Sequence, residues 1–234
     1  MKNILIVEGK TDKKFLESYI DYLCKTAPEK YYFLDDIDND NDNIKDATGQ
    51  DKIFSVLNAQ RIFINKRETK NIGILIDADN DGIDKKIEEK INPAIQKAFG
   101  TENAIQFPNQ KYPITYTEND RENTFNIFCH IFNLNGKGEL EDILRKIRTN
   151  KTLQSPICLD KFVQCMGDFN IAYPEKEYKK NWVYFYGYES LKKEQLNIEE
   201  IKSKLKNNEY YTPKYWDFDN PLLNELKQFL DLFQ

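Results

Sequence analysis

The chain has 234 residues, of which 40% are hydrophobic and 31% are charged, and its net charge is −5 at pH 7. This length allows one sizeable core, or a main domain with a smaller appendage. No apolar run approaches the ~20 residues that a membrane-spanning helix needs. The single histidine, His130, leaves little material for a histidine-rich zinc site or a Ser-His-Asp triad, so any chemistry has to come from carboxylates.

The charges are spread unevenly along the chain. Residues 1–135 carry 18 Lys and Arg against 23 Asp and Glu, whereas residues 136–234 carry 16 of each. This lack of a basic footprint weighs against tight nonspecific coating of nucleic acid, but it does not exclude an enzyme that meets phosphates through bound metal ions. The first residues show no signal-peptide cleavage pattern, and the four cysteines form no C-x-x-C pair, so we expect a cytoplasmic protein with reduced thiols.

Strand and helix patterns alternate through the first hundred residues. Apolar runs typical of buried strands lie at 4–7, 31–34, 72–76 and 103–107. Helical spacing of apolar residues follows at 12–25, 51–66 and 82–99, where we expect Pro93 to bend or restart the helix. The stretch 35–49 is too polar to bury and is interpreted as a solvated loop. This alternation predicts a parallel α/β sheet with right-handed crossovers.

The pattern changes after residue 107. The β-branched and aromatic stretches PITYT (113–117) and TFNIFCHIFNL (124–134) favour two further strands. From Gly138 onward the spacing is helical in five successive segments, the last of which ends the chain. We therefore predict an α/β domain at residues 1–135 and a helical C-terminal part at residues 136–234, packed on that domain.

Acidic residues follow two of the predicted strands. Glu8 comes directly after the first strand and Asp77 after the third, and the carboxyl ends of parallel strands meet at one edge of a sheet. Asp77 and Asp79 are two residues apart in an extended segment, so both can face a common cation. Oxygen ligands without histidine or thiolate point to Mg²⁺ or Mn²⁺ rather than zinc.

Two simpler interpretations compete with this site. Taken singly, each acidic stretch is typical of a surface turn or of a capped strand-to-helix junction. A twelve-residue calcium loop can also be read from Asp77, with Gly82 at its sixth position and Glu88 at its twelfth. That loop needs a preceding helix, yet the segment before Asp77 is strand-like, so we expect Glu88 to be an exposed helix residue.

The segments ILIVEGKTD (4–12) and ILIDADNDG (74–82) resemble the two signature motifs of the Toprim domain. Topoisomerases, bacterial primases, ribosomal-RNA maturation nucleases and the overcoming-lysogenization-defect nucleases share that domain. The resemblance implies a Toprim-like Rossmannoid parallel sheet flanked by helices. It also implies that Glu8 is a general acid or base or a metal ligand, and that Asp77 and Asp79 hold Mg²⁺. Asp81 extends the match to the Asp-x-Asp-x-Asp-Gly form of type II topoisomerases, so it is a third candidate metal ligand.

Two later segments extend the resemblance. GELEDILRKI (138–147) and the closing PLLNELKQFLDLF are similar to segments of an uncharacterised family of small stand-alone Toprim-like proteins. Within 234 residues there is no room for the nucleophilic-tyrosine domain or DNA gate of a topoisomerase. Because that uncharacterised family has no settled biochemical role, this second resemblance sharpens the expected fold more than the expected function.

Three further residues are candidates for accessory roles. Glu141 and Asp142 lie at a predicted helix start, where they either favour the helix dipole or serve as ligands of a second metal ion. Lys10 is a candidate phosphate contact beside Glu8, or a solvated lysine.

Together the motifs favour a Mg²⁺- or Mn²⁺-dependent enzyme that cleaves phosphodiester bonds or transfers phosphoryl groups, nuclease-like in its action on DNA or RNA. The alternative is a non-catalytic Toprim scaffold that binds nucleotide, nucleic acid or a protein partner.

Overall fold

A computed structural model describes residues 2–34, 37, 43–102 and 104–234. The chain is divided into two compact units. The sheet unit consists of Met1–Glu139 and Pro221–Gln234, and the helical unit consists of Leu140–Asn220. The predicted packing of a helical part on the α/β domain stays a prediction.

A mostly parallel sheet forms the centre of the sheet unit. Among the described residues its strands are β1 (Lys2–Val7), β2 (Ile44–Asp46), β3 (Thr69–Asp77), β4 (Tyr112–Glu118) and β5 (Arg121–Phe132). Their order is β2-β1-β3-β5-β4, and only the β4–β5 pair is antiparallel. The predicted α/β class, with a parallel sheet flanked by helices, is thereby confirmed.

Helices connect and flank these strands. In chain order they are α1 (Lys10–Thr26), α2 (Pro28–Tyr31), α3 (Ile53–Asn65), α4 (Ile83–Lys86), α5 (Asn92–Phe99), α6 (Leu140–Ile147), α7 (Gln154–Asp168), α8 (Glu175–Lys192), α9 (Ile198–Lys206) and α10 (Asn224–Asp231). Short 3₁₀ turns lie at Tyr32–Leu34, Gln50–Lys52 and Pro221–Leu223, and a π-helical turn, Ile87–Ile91, joins α4 to α5. That π turn ends just before Pro93, in the segment where the sequence predicts a bend.

Successive connections carry helices to opposite faces of the sheet. On one face Phe15 of α1 meets Phe132 edge-on, with ring centroids 6.1 Å apart. On the other face Ile53, Leu57 and Ile64 of α3 belong to one buried cluster with alternate residues of β1 and β3. Because the β1-to-β2 and β2-to-β3 connections leave in opposite directions, a crevice is expected at the carboxyl ends of β1 and β3.

The last helix belongs to the sheet unit. Phe229 and Phe233 lie edge-on against Phe128, and a Cβ added to Gly73 would lie 2.6 Å from Phe233 Cζ. Asn3 and Asn71 donate side-chain hydrogen bonds to the Phe233 carbonyl oxygen. Gly73 therefore lets the closing aromatic residues approach the middle of β3.

Two strand predictions were wrong. YYFL (31–34) ends α2 and forms a 3₁₀ turn, so Tyr31 and Phe33 are buried from a helical rather than an extended backbone, while Tyr32 is exposed. Within 103–107 the described residues 104–107 form no strand, because Ile105 exchanges both backbone hydrogen bonds with the Asn92 side chain. The predicted loop 35–49 contains β2 instead, although residues 35, 36 and 38–42 lie outside the described part of the chain.

The helical unit confirms the predicted helices between residues 138 and 206. Its interior is aromatic: Trp216, Tyr186 and Tyr211 are almost fully buried, and Tyr186 donates to the Tyr215 carbonyl oxygen. The Glu189 carboxylate accepts from the Ser155 backbone N–H at 2.6 Å, at the start of α7. In the described ranges, no helix combines the length and the apolar character that crossing a membrane requires.

Candidate metal centre

The carboxyl ends of β1 and β3 bring the first two predicted site residues together. Val7 pairs with Leu75, so Glu8 leaves β1 beside the last residues of β3, where Asp77 ends the strand. The Asp77 backbone N–H donates to Glu8 Oε2 at 3.4 Å. Asp77 is buried, whereas Glu8 is half-buried. Solvent therefore reaches this edge of the sheet on the side of Glu8.

Gln50, which the sequence did not suggest, joins Glu8 to Asp79. The loop after β2 crosses the same sheet edge, where the Gly49 N–H donates to the Glu8 carbonyl oxygen at 2.9 Å. Gly49 has φ +119°, a conformation that favours glycine. Gln50 Nε2 then donates to Glu8 Oε2 at 2.7 Å and to Asp79 Oδ2 at 3.1 Å.

The loop that follows β5 returns to pair with Asp79. The Asp79 N–H donates to the Gly138 carbonyl oxygen, and the Gly138 N–H donates to the Asp79 carbonyl oxygen, each at 2.8 Å. Asp79 has φ +48° and Gly138 has φ +103°, so both sides of this bridge have left-handed backbone. The bridge fixes the chain position of the next residue, Glu139.

Glu139 is a second residue that the sequence did not suggest. A carboxylate oxygen of Glu139 lies within 4.8 Å of one of Asp77, and the two residues are only 6% and 7% exposed. Two buried carboxylates this close repel each other unless a proton or a cation is shared between them. Their oxygens are ligands of the kind that hard divalent cations take, so this pair can bind a metal ion.

Asp79 and Asp81 contact a lysine. Lys86 Nζ lies 2.6 Å from Asp79 Oδ2 and 3.2 Å from Asp81 Oδ2. Burial works to lower the pKa of Lys86, but the hydrogen bonds and charges of the two aspartates outweigh it and hold that pKa above its ordinary value. Lys85 also lies 3.0 Å from Asp81, and its hydrogen bond, with that of Lys86, lowers the pKa of the Asp81 carboxyl. The prediction that Asp79 and Asp81 hold a metal ion stays open to experiment.

The accessory candidates lie in different surroundings. Lys10 is exposed at the first residue of α1. Glu141 and Asp142 belong to the first turn of α6, where Glu141 is buried and Asp142 lies 2.8 Å from Lys179. Burial raises the pKa of Tyr210 to about 12, and the charge of Glu141 adds to that effect.

The calcium-loop alternative does not fit the backbone. Thr69–Asp77 is a strand, whereas a calcium loop of this type follows a helix. Glu88, at the twelfth position, is exposed in the π-helical turn. The expectation that Glu88 is an exposed helix residue is confirmed.

Comparison with known proteins places the whole chain in one family. A family model described as "Protein of unknown function (DUF3226)" matches residues 2–234. Neither the curated proteins nor the solved structures gave a match. The family description does not mention Toprim proteins, so that relationship stays a prediction. Because the family model covers nearly every residue, the chain belongs to the DUF3226 family.

Proposed function

We propose that this protein is a metal-dependent phosphodiester-cleaving or phosphoryl-transfer enzyme of the Toprim type, nuclease-like in its action on nucleic acid. The observation that carries the proposal is the meeting of Glu8 and Asp77 at one sheet edge, with Glu139 close to Asp77. This edge is where open α/β sheets bind their ligands. The two sequence motifs that meet there are those that resemble the Toprim signatures.

Asp77 and Glu139 would hold the cation, and the donor set suits Mg²⁺ or Mn²⁺ because it contains only oxygen. When bound, such an ion supplies Lewis-acid polarisation of a phosphoryl oxygen and a more acidic bound water.

Glu8 is the candidate proton acceptor or donor. It is half-buried, so its carboxylate combines access to solvent with a fixed position. Gln50 Nε2 and the Asp77 backbone N–H both donate to Glu8 Oε2, and these two hydrogen bonds hold the carboxylate in place. A positioned carboxylate that exchanges a proton with the reacting oxygen typically contributes a factor of about 10²–10⁴ to the rate.

Cleavage assays test this function directly. Purified protein is incubated with single- and double-stranded DNA and RNA, with Mg²⁺ or Mn²⁺, alongside Glu8→Gln prepared in the same way. We expect metal-dependent cleavage of at least one substrate by the wild type, and a loss of about 100-fold or more in Glu8→Gln, whose thermal unfolding stays unchanged. Glu88→Gln, an exposed acid on the neighbouring helical segment, is the matched control and should keep full activity.

A non-catalytic scaffold is the second candidate, and one observation favours it. Lys86 already forms ion pairs with Asp79 and Asp81, two of the three aspartates of the motif. The scaffold predicts that the wild type and Glu8→Gln show only equal, metal-independent traces of cleavage, while nucleotide or nucleic acid still binds measurably. That result would favour the scaffold over the enzyme.

A further inference from the structure

Lys86 places a positive charge among three oxygen atoms of the loops at the sheet edge. Its Nζ lies 2.6 Å from Asp79 Oδ2 and 3.2 Å from Asp81 Oδ2, and it donates to Gln50 Oε1 at 2.9 Å. The lysine side chain is only 4% exposed. A lysine is almost never buried to this degree unless its charge is paired, so these oxygens hold the ammonium group in place.

The backbone ties this ammonium group to the loop that carries its partners. The Gly82 N–H donates to the Ala78 carbonyl oxygen at 3.1 Å, and the Lys86 N–H donates to the Gly82 carbonyl oxygen at 3.2 Å. Gly82 has φ +89°, which turns the chain sharply from the aspartate loop into α4. Lys86 is therefore attached through one short helical turn to the loop that positions Asp79 and Asp81.

The oxygens around Lys86 Nζ form a set that suits a cation. Two carboxylate oxygens and one amide carbonyl oxygen converge on a single positive centre, and hard divalent cations take the same types of ligand. A divalent ion could reach this place only by displacing the ammonium group, because two cations a few ångström apart in a partly buried site repel strongly.

We propose that the Lys86 ammonium group takes the place of a second divalent ion, so that the centre binds one divalent ion per chain through Asp77 and Glu139. This inference rests on the metal centre of the proposed function and goes beyond it by fixing the number of ions. Lys86 is a positioning residue: it holds Asp79 and Gln50, and Gln50 in turn holds Glu8.

The inference predicts that substitution of Lys86 changes the number of divalent ions bound per chain. Lys86→Met keeps an unbranched apolar side chain of nearly the same length but removes the charge. The oxygens of Asp79, Asp81 and Gln50 then face one another without the ammonium group, and a divalent ion can take its place. The wild type should bind one ion, and Lys86→Met should bind two.

Equilibrium dialysis against Mn²⁺, combined with electron paramagnetic resonance of the bound ions, tests this count. The wild type should show one ion per chain, with the hyperfine spectrum of an isolated Mn²⁺. Lys86→Met should show two ions per chain, with a spectrum broadened by coupling between them. Adding Asp81→Asn to Lys86→Met should return the count to one, whereas Lys86→Arg, which keeps the charge, should bind one ion like the wild type.

Each outcome separates the inference from the proposed function. Two ions in the wild type, or one ion in a folded Lys86→Met variant, overturn the role of Lys86 but leave a metal centre in place. No bound ion in the wild type overturns the proposed metal centre itself. Should Lys86→Met fail to fold, Asp81→Asn in the wild-type background decides: one retained ion supports the inference, and loss of the ion makes Asp81 a ligand and contradicts it.

Discussion

Two pairs of carboxylates at one sheet edge differ in burial and in the charged neighbours that they contact. Asp77 and Glu139 are 7% and 6% exposed and place carboxylate oxygens within 4.8 Å of each other. Asp79 and Asp81 have side chains that are 27% and 39% exposed, and both contact the Lys86 ammonium group. A motif of three aspartates is thus divided, because its first residue faces another carboxylate while the other two face a lysine.

The difference shows why spacing alone is a poor guide to a metal site. Asp77, Asp79 and Asp81 alternate along the sequence in the same way, and nothing in that pattern separates the first from the others. The three aspartates differ because of their neighbours in space, which are Glu139 after β5 and Lys86 of α4. The chemistry of each aspartate is set by its partner in space.

The largest expected effect comes from breaking the buried pair. Asp77→Asn should weaken Mn²⁺ binding by about 100-fold or more, since loss of even an outer partner of a metal ligand costs 10–100-fold. Calorimetric titration at pH 7.5 measures the change, with Glu139→Gln expected to match it. Asp84→Asn, an exposed acid at the start of α4, is the control that should bind like the wild type. Equal affinities in all four proteins would contradict the assignment.

Removing the lysine tests the second pair. Without metal, Lys86→Met should lower the free energy of unfolding by about 1–3 kcal/mol, because Asp79 and Gln50 lose a buried charged partner. Urea unfolding measures the loss, and saturating Mn²⁺ should restore part of it. Lys85→Met removes a neighbouring exposed lysine and should leave the unfolding curve unchanged. A Lys86→Met curve that overlays the wild type would show that the ion pairs carry no stability.

The pH dependence of unfolding distinguishes the contribution of the carboxylates to stability from that of the single histidine, His130. Burial lowers the pKa of His130 to about 3, and its Nδ1 lies 3.0 Å from Asn109 Oδ1. The unfolded chain takes up a proton near pH 6.5 whereas the folded chain does not, so stability present above pH 6.5 is lost as the pH falls toward 3. Between pH 6.5 and 5 this loss should amount to about 2 kcal/mol.

His130→Gln shows which group causes that loss. Urea unfolding of this variant at pH 7 and pH 5 should give nearly equal stabilities. If the variant keeps the steep loss of the wild type, the acid sensitivity belongs to the carboxylate pairs instead of the histidine.

The smallest effect is expected at Gln50, which links Glu8 to Asp79. Gln50→Ala removes the hydrogen bonds to Glu8 and Asp79 but no metal ligand. We expect about a tenfold fall in the rate of cleavage and a smaller change in Mn²⁺ affinity, as is usual for residues that orient a ligand. Cleavage assays and calorimetry on the same preparation measure both, and a larger change in affinity than in rate would make Gln50 a ligand.

Much of the fold can be predicted from the sequence because its main elements are strongly patterned. The continuous apolar run of β3 and the amphipathic spacing of α1 and α3 each identify an element by themselves. The three-residue strand β2 escapes prediction because it lies in a polar stretch and pairs only along one side of β1. Aromatic content misled at residues 31–34, where tertiary packing buries Tyr31 and Phe33 from a helical backbone.

The site can be predicted in part for the same kind of reason. Glu8 and Asp77 follow from strand order, because parallel strands end at one edge. Glu139 does not, because it looks like the charged start of α6, and its position depends on the left-handed bridge between Asp79 and Gly138. The two glycines at 136 and 138 were the only signal that the chain turns back at this point. Gln50 and Lys86 carried no signal, since their roles come from long-range hydrogen bonds.

A crystal soaked in Mn²⁺ tests the central claim most directly, by the position of the anomalous scattering peak. We expect one peak within bonding distance of the carboxylate oxygens of Asp77 and Glu139, with Lys86 still in contact with Asp79. A peak located between Asp79 and Asp81 instead, or no peak beside Asp77 at saturating Mn²⁺, would contradict the proposed metal centre.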